Sequence, residues 1–322
     1  MGKRFSYINA IILFFFLFSL TGCDSYFKQG NIQKVGMLVE NTIHDQAWGT
    51  SGYNGLLSIK EEFDVDVYFK EEIQTQQEVN QSVEEFANKG VNLIFGHSSL
   101  YGKMFENISS AYPDIHFVYF NGGYQDSNLT SLNFNSHAMG FFGGMVAGKM
   151  TTTNQVGIIA AYEWQPEIEG FYEGVSYQNP DANVQMNFVN NWDDEERALQ
   201  LFEQMNEKNV DVYYPAGDSF SVSIINKIEE LDKYAIGFVS DQSNLNEQKV
   251  LTSTVQHVDK LYLNAAEKFN DGELTGGVFT YDFQDEVISL GKFSPDLPND
   301  FVKELENEVD AYIETGLLPN ER

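Results

Sequence analysis

The sequence has a single cysteine, seven prolines and no Gly/Ser-rich tract, and only 19 Lys and Arg stand against 48 Asp and Glu. Each shortage excludes something. One cysteine excludes a disulfide framework and any Cys-rich zinc module. Without a Gly/Ser-rich stretch there is no long flexible linker. A formal net charge of −29 opposes direct binding of DNA or RNA, because nucleic-acid binders gain affinity by replacing phosphate counterions with Lys and Arg. What is present is 322 residues, 42% of them apolar and 14% aromatic. That is enough for a substantial core and about two domains of ordinary size.

The chain opens with Lys3 and Arg4, then an apolar run from Ile8 to Leu20 broken only by Asn9 and Ser19. A charged start, a short apolar stretch and a small-residue site make a secretory signal. The run is short of the roughly 20 apolar residues of a membrane-crossing helix. It reaches Leu20-Thr21-Gly22-Cys23, which looks like a bacterial lipobox, with the only cysteine at the lipidation position. The alternative is an uncleaved anchor helix with an incidental cysteine. The lipobox reading gives a signal peptide over 1–22, a lipid-anchored tether over 23–31, and a location on the outer face of the cell membrane. Losing Lys3 and Arg4 takes the net charge from −29 to −31.

Beyond the tether, apolar strand-like runs alternate with helix-like segments. Strands are predicted at 35–39, 65–69, 93–95 and 116–120, with helices at 52–62, 76–89 and 101–111 between them. This β-α alternation implies a parallel sheet covered by helices. A crossing strand is expected at 131–134, followed by a Gly-rich helix at 138–150. The pattern then restarts, with strands at 156–160, 184–189, 212–214 and 235–239, a second crossing strand at 250–255 and a terminal helix at 299–315. Two α/β lobes in tandem, joined by crossing strands, predict a hinged pair with a ligand cleft at the carboxyl ends of the strands. The expected division is 32–135 plus 256–276 for the first lobe and 136–255 plus 277–322 for the second.

Several motifs come close to a chemistry and fail. Gly143 to Lys149 approaches a phosphate-binding loop, but Met150 stands where the magnesium-holding Ser or Thr belongs. Close helix packing on glycine is the better reading. Gly217-Asp218-Ser219-Phe220-Ser221 lacks the closing Gly of a nucleophile elbow. The five histidines show no metal-ligand spacing and read as surface or supporting residues. Asp193 to Glu196 sit at a helix start, where negative charge suits the helix dipole. No enzyme signature and no cofactor motif remains.

Other segments carry a resemblance. Ile43 to Gly55, Tyr112-Pro113-Asp114 with Phe117, Gly140 to Gly144, Ala216-Gly217-Asp218, Ile236 to Ser243 and Val250 to Val255 with Val258-Asp259 are similar to motifs of the basic membrane protein family of lipoproteins, which are nucleoside-type solute-binding proteins. Trp164-Gln165-Pro166-Glu167, Tyr214 to Asp218 and Ser253 to Gln256 resemble a branch of that family found in bacilli and described as positive regulators of competence. The resemblance implies a two-lobed, periplasmic-binding-protein-like (type I) α/β fold, each lobe a parallel sheet flanked by helices, with crossing hinge strands.

It also implies ligand-binding positions. Asp45 falls on an acidic position near the ligand's base, and Trp48 replaces a stacking Phe. Asp241 falls on a ribose-binding Asp, and Asn121 stands where an Asp is frequent. Gly49 replaces an Asn and Gln256 replaces a ribose-side Lys, which removes polar partners a purine site would need. Trp164 and Asp218 complete the expected set. Alternatives stay open: Trp48 and Trp164 as core aromatics, Asp241 as a helix cap, Asp218 as an N-cap, Phe220 as core. Two functions follow. One is a competence-type regulator acting indirectly through a membrane signalling partner, with a cleft for a small, nucleoside-like molecule. The other is the receptor of an ABC permease importing such a solute. Neither involves direct contact with nucleic acid.

Overall fold

The computed structural model describes residues 30–44 and 48–322. The signal-like segment, Cys23, most of the tether and Asp45 lie outside the described residues. Residues 34–134 build one sheet by alternation: β1 (Lys34–Leu38), α1 (Trp48–Phe63), β2 (Asp66–Lys70), α2 (Gln76–Asn88), β3 (Leu93–Gly96), α3 (Tyr101–Glu106), β4 (His116–Phe120) and β5 (Leu129–Phe134). Residues 136–256 repeat the scheme: α4 (Ser136–Met150), β6 (Gln155–Ala160), α5 (Pro166–Gln178), β7 (Asn183–Phe188), α6 (Glu195–Asn206), β8 (Val212–Ala216), α7 (Asp218–Glu230), β9 (Tyr234–Val239) and β10 (Val250–Gln256). The chain returns with α8 (Val258–Asn270) and β11 (Gly277–Tyr281), then ends with β12 (Ile288–Leu290) and α9 (Asn299–Thr315).

The two sheets match strand for strand, in the orders β11-β5-β4-β3-β1-β2 and β12-β10-β9-β8-β6-β7. All pairings are parallel except that of β12 with β10. β3 and β4 are buried along their whole length and β1 along nearly all of it, as interior parallel strands covered on both faces must be. Glycine replaces bulk where layers meet. Gly140, Gly144 and Gly148 on α4 face Gly170 and Gly174 on α5, and a Cβ on Gly144 or Gly174 would overlap the carbonyl of Phe171 or Phe141. The segment that resembled a phosphate-binding loop is therefore a helix seated on a neighbouring helix's backbone.

The chain crosses between lobes three times, just after β5, β10 and β11. The two strands expected to do the crossing lie wholly within one sheet each, β5 in the first and β10 in the second. The crossings are stitched side by side. Asn135 N–H donates to the Tyr281 carbonyl (2.8 Å), and His257 N–H to that of Val287 (2.8 Å). The buried Asp282 carboxylate accepts from Asn135 Nδ2 (2.7 Å) and the Tyr312 hydroxyl (2.5 Å). Phe142, Phe283 and Tyr312 pack edge to face around this point, with ring centroids 5.6–5.9 Å apart.

Two expectations change. Residues 277–281, assigned to the second lobe from sequence, form β11 and pair with β5 in the first sheet. Their side chains from Val278 to Thr280 are exposed, so no buried apolar run announces the strand. The helix expected over 101–111 stops at Glu106, and a 3-10 turn covers Ser109–Ala111. There the carbonyls of Ser109, Tyr112 and Ile115 take donors from Asn128 Nδ2 instead of continuing a helical ladder.

Ala for Gly in a helix interior ordinarily adds about 1 kcal/mol of stability. At Gly174 the added methyl must force α4 and α5 apart, and Gly174→Ala is expected to cost about 1–3 kcal/mol net in urea denaturation. Gly123→Ala, with no atom near its Cβ position, is the control, and equal behaviour of the two variants would refute the close helix contact.

Candidate functional site

In open α/β sheets ligands sit beyond the carboxyl ends of strands, where the strand order reverses. Here both sheets turn those ends toward each other around a cavity of about 480 Å³. The first lobe lines it with Glu40, Asn41 and Thr42 after β1, Trp48 and Gly49 at the start of α1, His97 and Ser98 after β3, and Asn121 after β4. The second lobe contributes Trp164 to Glu167 at the β6–α5 junction, Trp192 before α6, Asp218 at the head of α7, Val239 closing β9 and Gln256 closing β10. All three tryptophans of the chain line this one cavity. Asn121 and Val239 occupy equivalent places in the two lobes, and both turn into the left-handed region, at φ 57° and 62°. Asn tolerates that conformation, whereas for a β-branched Val it is a genuine outlier.

Trp48 is fixed by a reciprocal pair of bonds. Its Nε1–H donates to the His97 carbonyl (3.2 Å), and His97 Nε2 meets the Trp48 carbonyl at 2.7 Å. A carbonyl can only accept, so Nε2 carries the proton and Nδ1 accepts from the Tyr262 hydroxyl (3.0 Å). The two rings stack at 4.7 Å and 13°. The ring has room because residue 52 is Gly, where a Cβ would overlap the imidazole. Burial pushes the His97 pKa down to about 4, against the pull of the Trp48 carbonyl, so the ring is neutral. His97 and His116 are buried, at 1% and 2% exposure, and are core groups rather than surface residues.

Across the cavity Tyr162 stacks on Trp164 (5.3 Å, 18°), and Trp192 meets both edge-on. Trp164 remains 59% exposed, the most open large aromatic among the described residues. Beside it, the Gln165 side chain folds back. Its Oε1 accepts from Tyr162 N–H (2.8 Å), and its Nε2 donates to Glu167 Oε1 (2.8 Å) and to the Ala216 carbonyl (3.2 Å). Glu167 is only 4% exposed, and burial raises its pKa. On the first lobe Glu40 accepts from the Ser98 hydroxyl (2.7 Å). At the mouth the lobes touch directly: Asp193, which accepts from the Ser219 hydroxyl of its own lobe (2.5 Å), also accepts from Asn41 Nδ2 of the first lobe (3.2 Å).

Of the residues expected from sequence, the structure brings Trp48, Asn121, Trp164, Asp218 and Gln256 to the cavity. Gln256 donates weakly to the Ser136 hydroxyl (3.4 Å), and Phe220 is fully buried core. Asp241 is not brought there. Its carboxylate accepts from Ser243 N–H (3.1 Å) and Lys292 N–H (3.1 Å), which makes it a loop-holding residue. Glu40, His97, Glu167 and Trp192 were missed. Three of them directly follow strands or start a helix at the cleft end, a signal the strand-end rule supplies. Among the described residues no group of three or more His, Cys, Asp and Glu could hold a metal ion.

The profile of a solute-binding family, described as ABC transporter substrate-binding protein PnrA-like, matches residues 32–321. The chain belongs to this family. It is 45% identical over 309 residues to a Bacillus subtilis (strain 168) protein named transcriptional activator protein med, across 96% of this chain and 98% of that one. A crystal structure of a transcriptional activator of the comK gene from Bacillus halodurans superposes with a TM-score of 0.83 at 44% identity, over 89% of this chain and 99% of that one. A solute-binding protein of an ABC transporter system from Aeropyrum pernix K1 shares the fold, with a TM-score of 0.72 at 19% identity over 89% and 81% of the two chains. The family's two-lobed, periplasmic-binding-protein-like architecture is thus the one described above. The family is one of binding proteins, not enzymes. No helix among the described residues is long and apolar enough to cross a membrane.

The neutral His97 gives a test. Its folded pKa of about 4 lies below the ordinary 6.5, so between those values the unfolded chain binds a proton that the folded chain does not. The stability this contributes is present above pH 6.5 and is lost as the pH falls toward 4, about 3 kcal/mol in all. Urea unfolding at pH 4.5 and 7 is expected to show that loss, with a smaller pH dependence in His97→Gln. Some dependence remains from His116, which burial also pushes down, to about 3.

Proposed function

We propose that the chain is a lipid-anchored protein of the outer face of the cell membrane, acylated at Cys23, whose cleft closes on a small molecule and whose output is positive regulation of competence-type transcription. The signal acts indirectly, through a membrane partner. The observation that carries this reading is near full-length similarity to a protein named as a transcriptional activator, on a chain whose charge of −29 repels the nucleic-acid backbone. A regulator of this kind must reach the promoter by relay. The interlobe cavity supplies the input, with Trp48, Asn121, Trp164, Asp218 and Gln256 as ligand-binding residues. Closure follows when a ligand bridges the two lobes.

A second reading is a receptor delivering a nucleoside-like solute to an ABC permease. The family's transporter description supports it. Against a purine nucleoside stand Gly49 and Gln256, where an amide and a cation are replaced.

Two tests follow. Cys23→Ala is expected to abolish incorporation of radiolabelled palmitate and release the protein from the membrane fraction, and continued labelling would refute the anchor. A ligand at 100 times its Kd adds about 2.7 kcal/mol of stability, which for lobes of this size raises Tm by about 5–10 °C. A thermal-shift panel of nucleosides, amines and sugars is expected to give such a shift for at least one class, lost in Trp164→Ala. A shift that survives Trp164→Ala would place the ligand outside the cleft.

A further inference from the structure

The cleft's charge is one-sided. Among the described residues that line it there is no Lys and no Arg, while Glu40, Glu167 and Asp218 are all present. The single lining histidine, His97, has both ring nitrogens engaged within the protein and is neutral. No ion pair among the described residues reaches Glu40 or Glu167. Glu167 is more than nine-tenths buried, and the donors that reach it, its own backbone N–H and the Gln165 amide, are both neutral. A carboxyl so placed takes up a proton, the direction in which burial pushes it, unless a counter-charge holds it ionised, and a cationic ligand is such a counter-charge.

Independently of charge, the same cavity collects every tryptophan in the chain. Indole faces attract cations through the ring quadrupole more strongly than other aromatic side chains, and walls of such rings recognise ammonium groups. Trp164, 59% exposed and stacked on Tyr162, leaves one face open. The acidity of the whole molecule adds to this, because a cleft of one sign between low-dielectric walls concentrates ions of the other.

We propose, resting on the reading of this cavity as a ligand site, that the cleft selects an organic ammonium ion, with its charge placed between the tryptophan faces and the Glu40 and Glu167 carboxylates. A neutral molecule of the same shape is bound less well, and an anion is excluded.

The test uses the full chain in detergent and follows tryptophan fluorescence, which reports on this cavity alone because no tryptophan lies elsewhere. The probes are matched pairs: choline against its neutral isostere 3,3-dimethyl-1-butanol, and tyramine against 4-propylphenol, with adenosine as a neutral nucleoside. At least one cation is expected to bind saturably and ten or more times tighter than its neutral match. That advantage should shrink as salt rises and fall by ten-fold or more in Glu167→Gln. Should Glu167→Gln fail to fold, Glu40→Gln, on a more open side chain, makes the same comparison.

Equal binding within both pairs, or binding of adenosine with neither cation, overturns the ammonium inference and leaves the receptor reading standing. No response to any of the five compounds overturns the ammonium inference, and the receptor reading then rests on the wider thermal-shift panel.

Discussion

Two of the three interlobe crossings meet at one buried carboxylate, and the geometry of the cleft depends on it. Asp282 holds Asn135, on the first crossing, and Tyr312, on the terminal helix, through one carboxylate. A charged acceptor makes such bonds roughly twice as strong as neutral ones, and its burial makes each bond costly to lose. The edge-to-face group of Phe142, Phe283 and Tyr312 closes around the same place. The last helix of the chain therefore fastens the hinge, although it contributes nothing to the cavity lining.

With the hinge fixed, the matching strand orders explain how the site is assembled. Equivalent strands in the two lobes deliver equivalent corners to the cleft. Asn121 and Val239 form one such pair, and Ser98 and Asp218, just after β3 and β8, form another. The repeat is one of backbone only. One lobe supplies a Trp locked by a neutral His, and the other an open Trp beside a buried Glu. A shared scaffold thus presents two chemically different walls, which is the condition for gripping an asymmetric small molecule in one orientation.

Much of the architecture was legible in the sequence because parallel strands buried on both faces leave uninterrupted apolar runs, as at His116–Phe120 and Leu93–Gly96. β11 left no such run, since it is an edge strand whose middle faces solvent, and the lobe boundary drawn at 276 followed from missing it. The cleft was partly legible. Trp48, Trp164 and Asp218 stand at strand-to-helix junctions and can be read from position alone. Asp241 stands at a similar junction but was expected at the cavity because it falls on a ribose-binding Asp of the family that the sequence resembles. Its oxygens are instead taken by Ser243 and Lys292, a choice that depends on a segment fifty residues away and leaves no local trace. Glu167 and His97 also stand at such positions, but what they do there comes from burial, which a one-dimensional pattern does not record.

The glycine contact between α4 and α5 reaches further than packing. Gly140 lies against the backbone of Glu167 itself, so the position of that carboxylate in the cleft is set by a side chain that does not exist. Position 140 touches no ligand and does not line the cavity. In a genetic screen for altered ligand response, it nonetheless belongs with the lining residues: any larger residue there displaces the carboxylate while every group in the pocket keeps its identity. Comparison of pocket residues between relatives would miss such a change, because the ligand preference it alters is written on the far side of the helix.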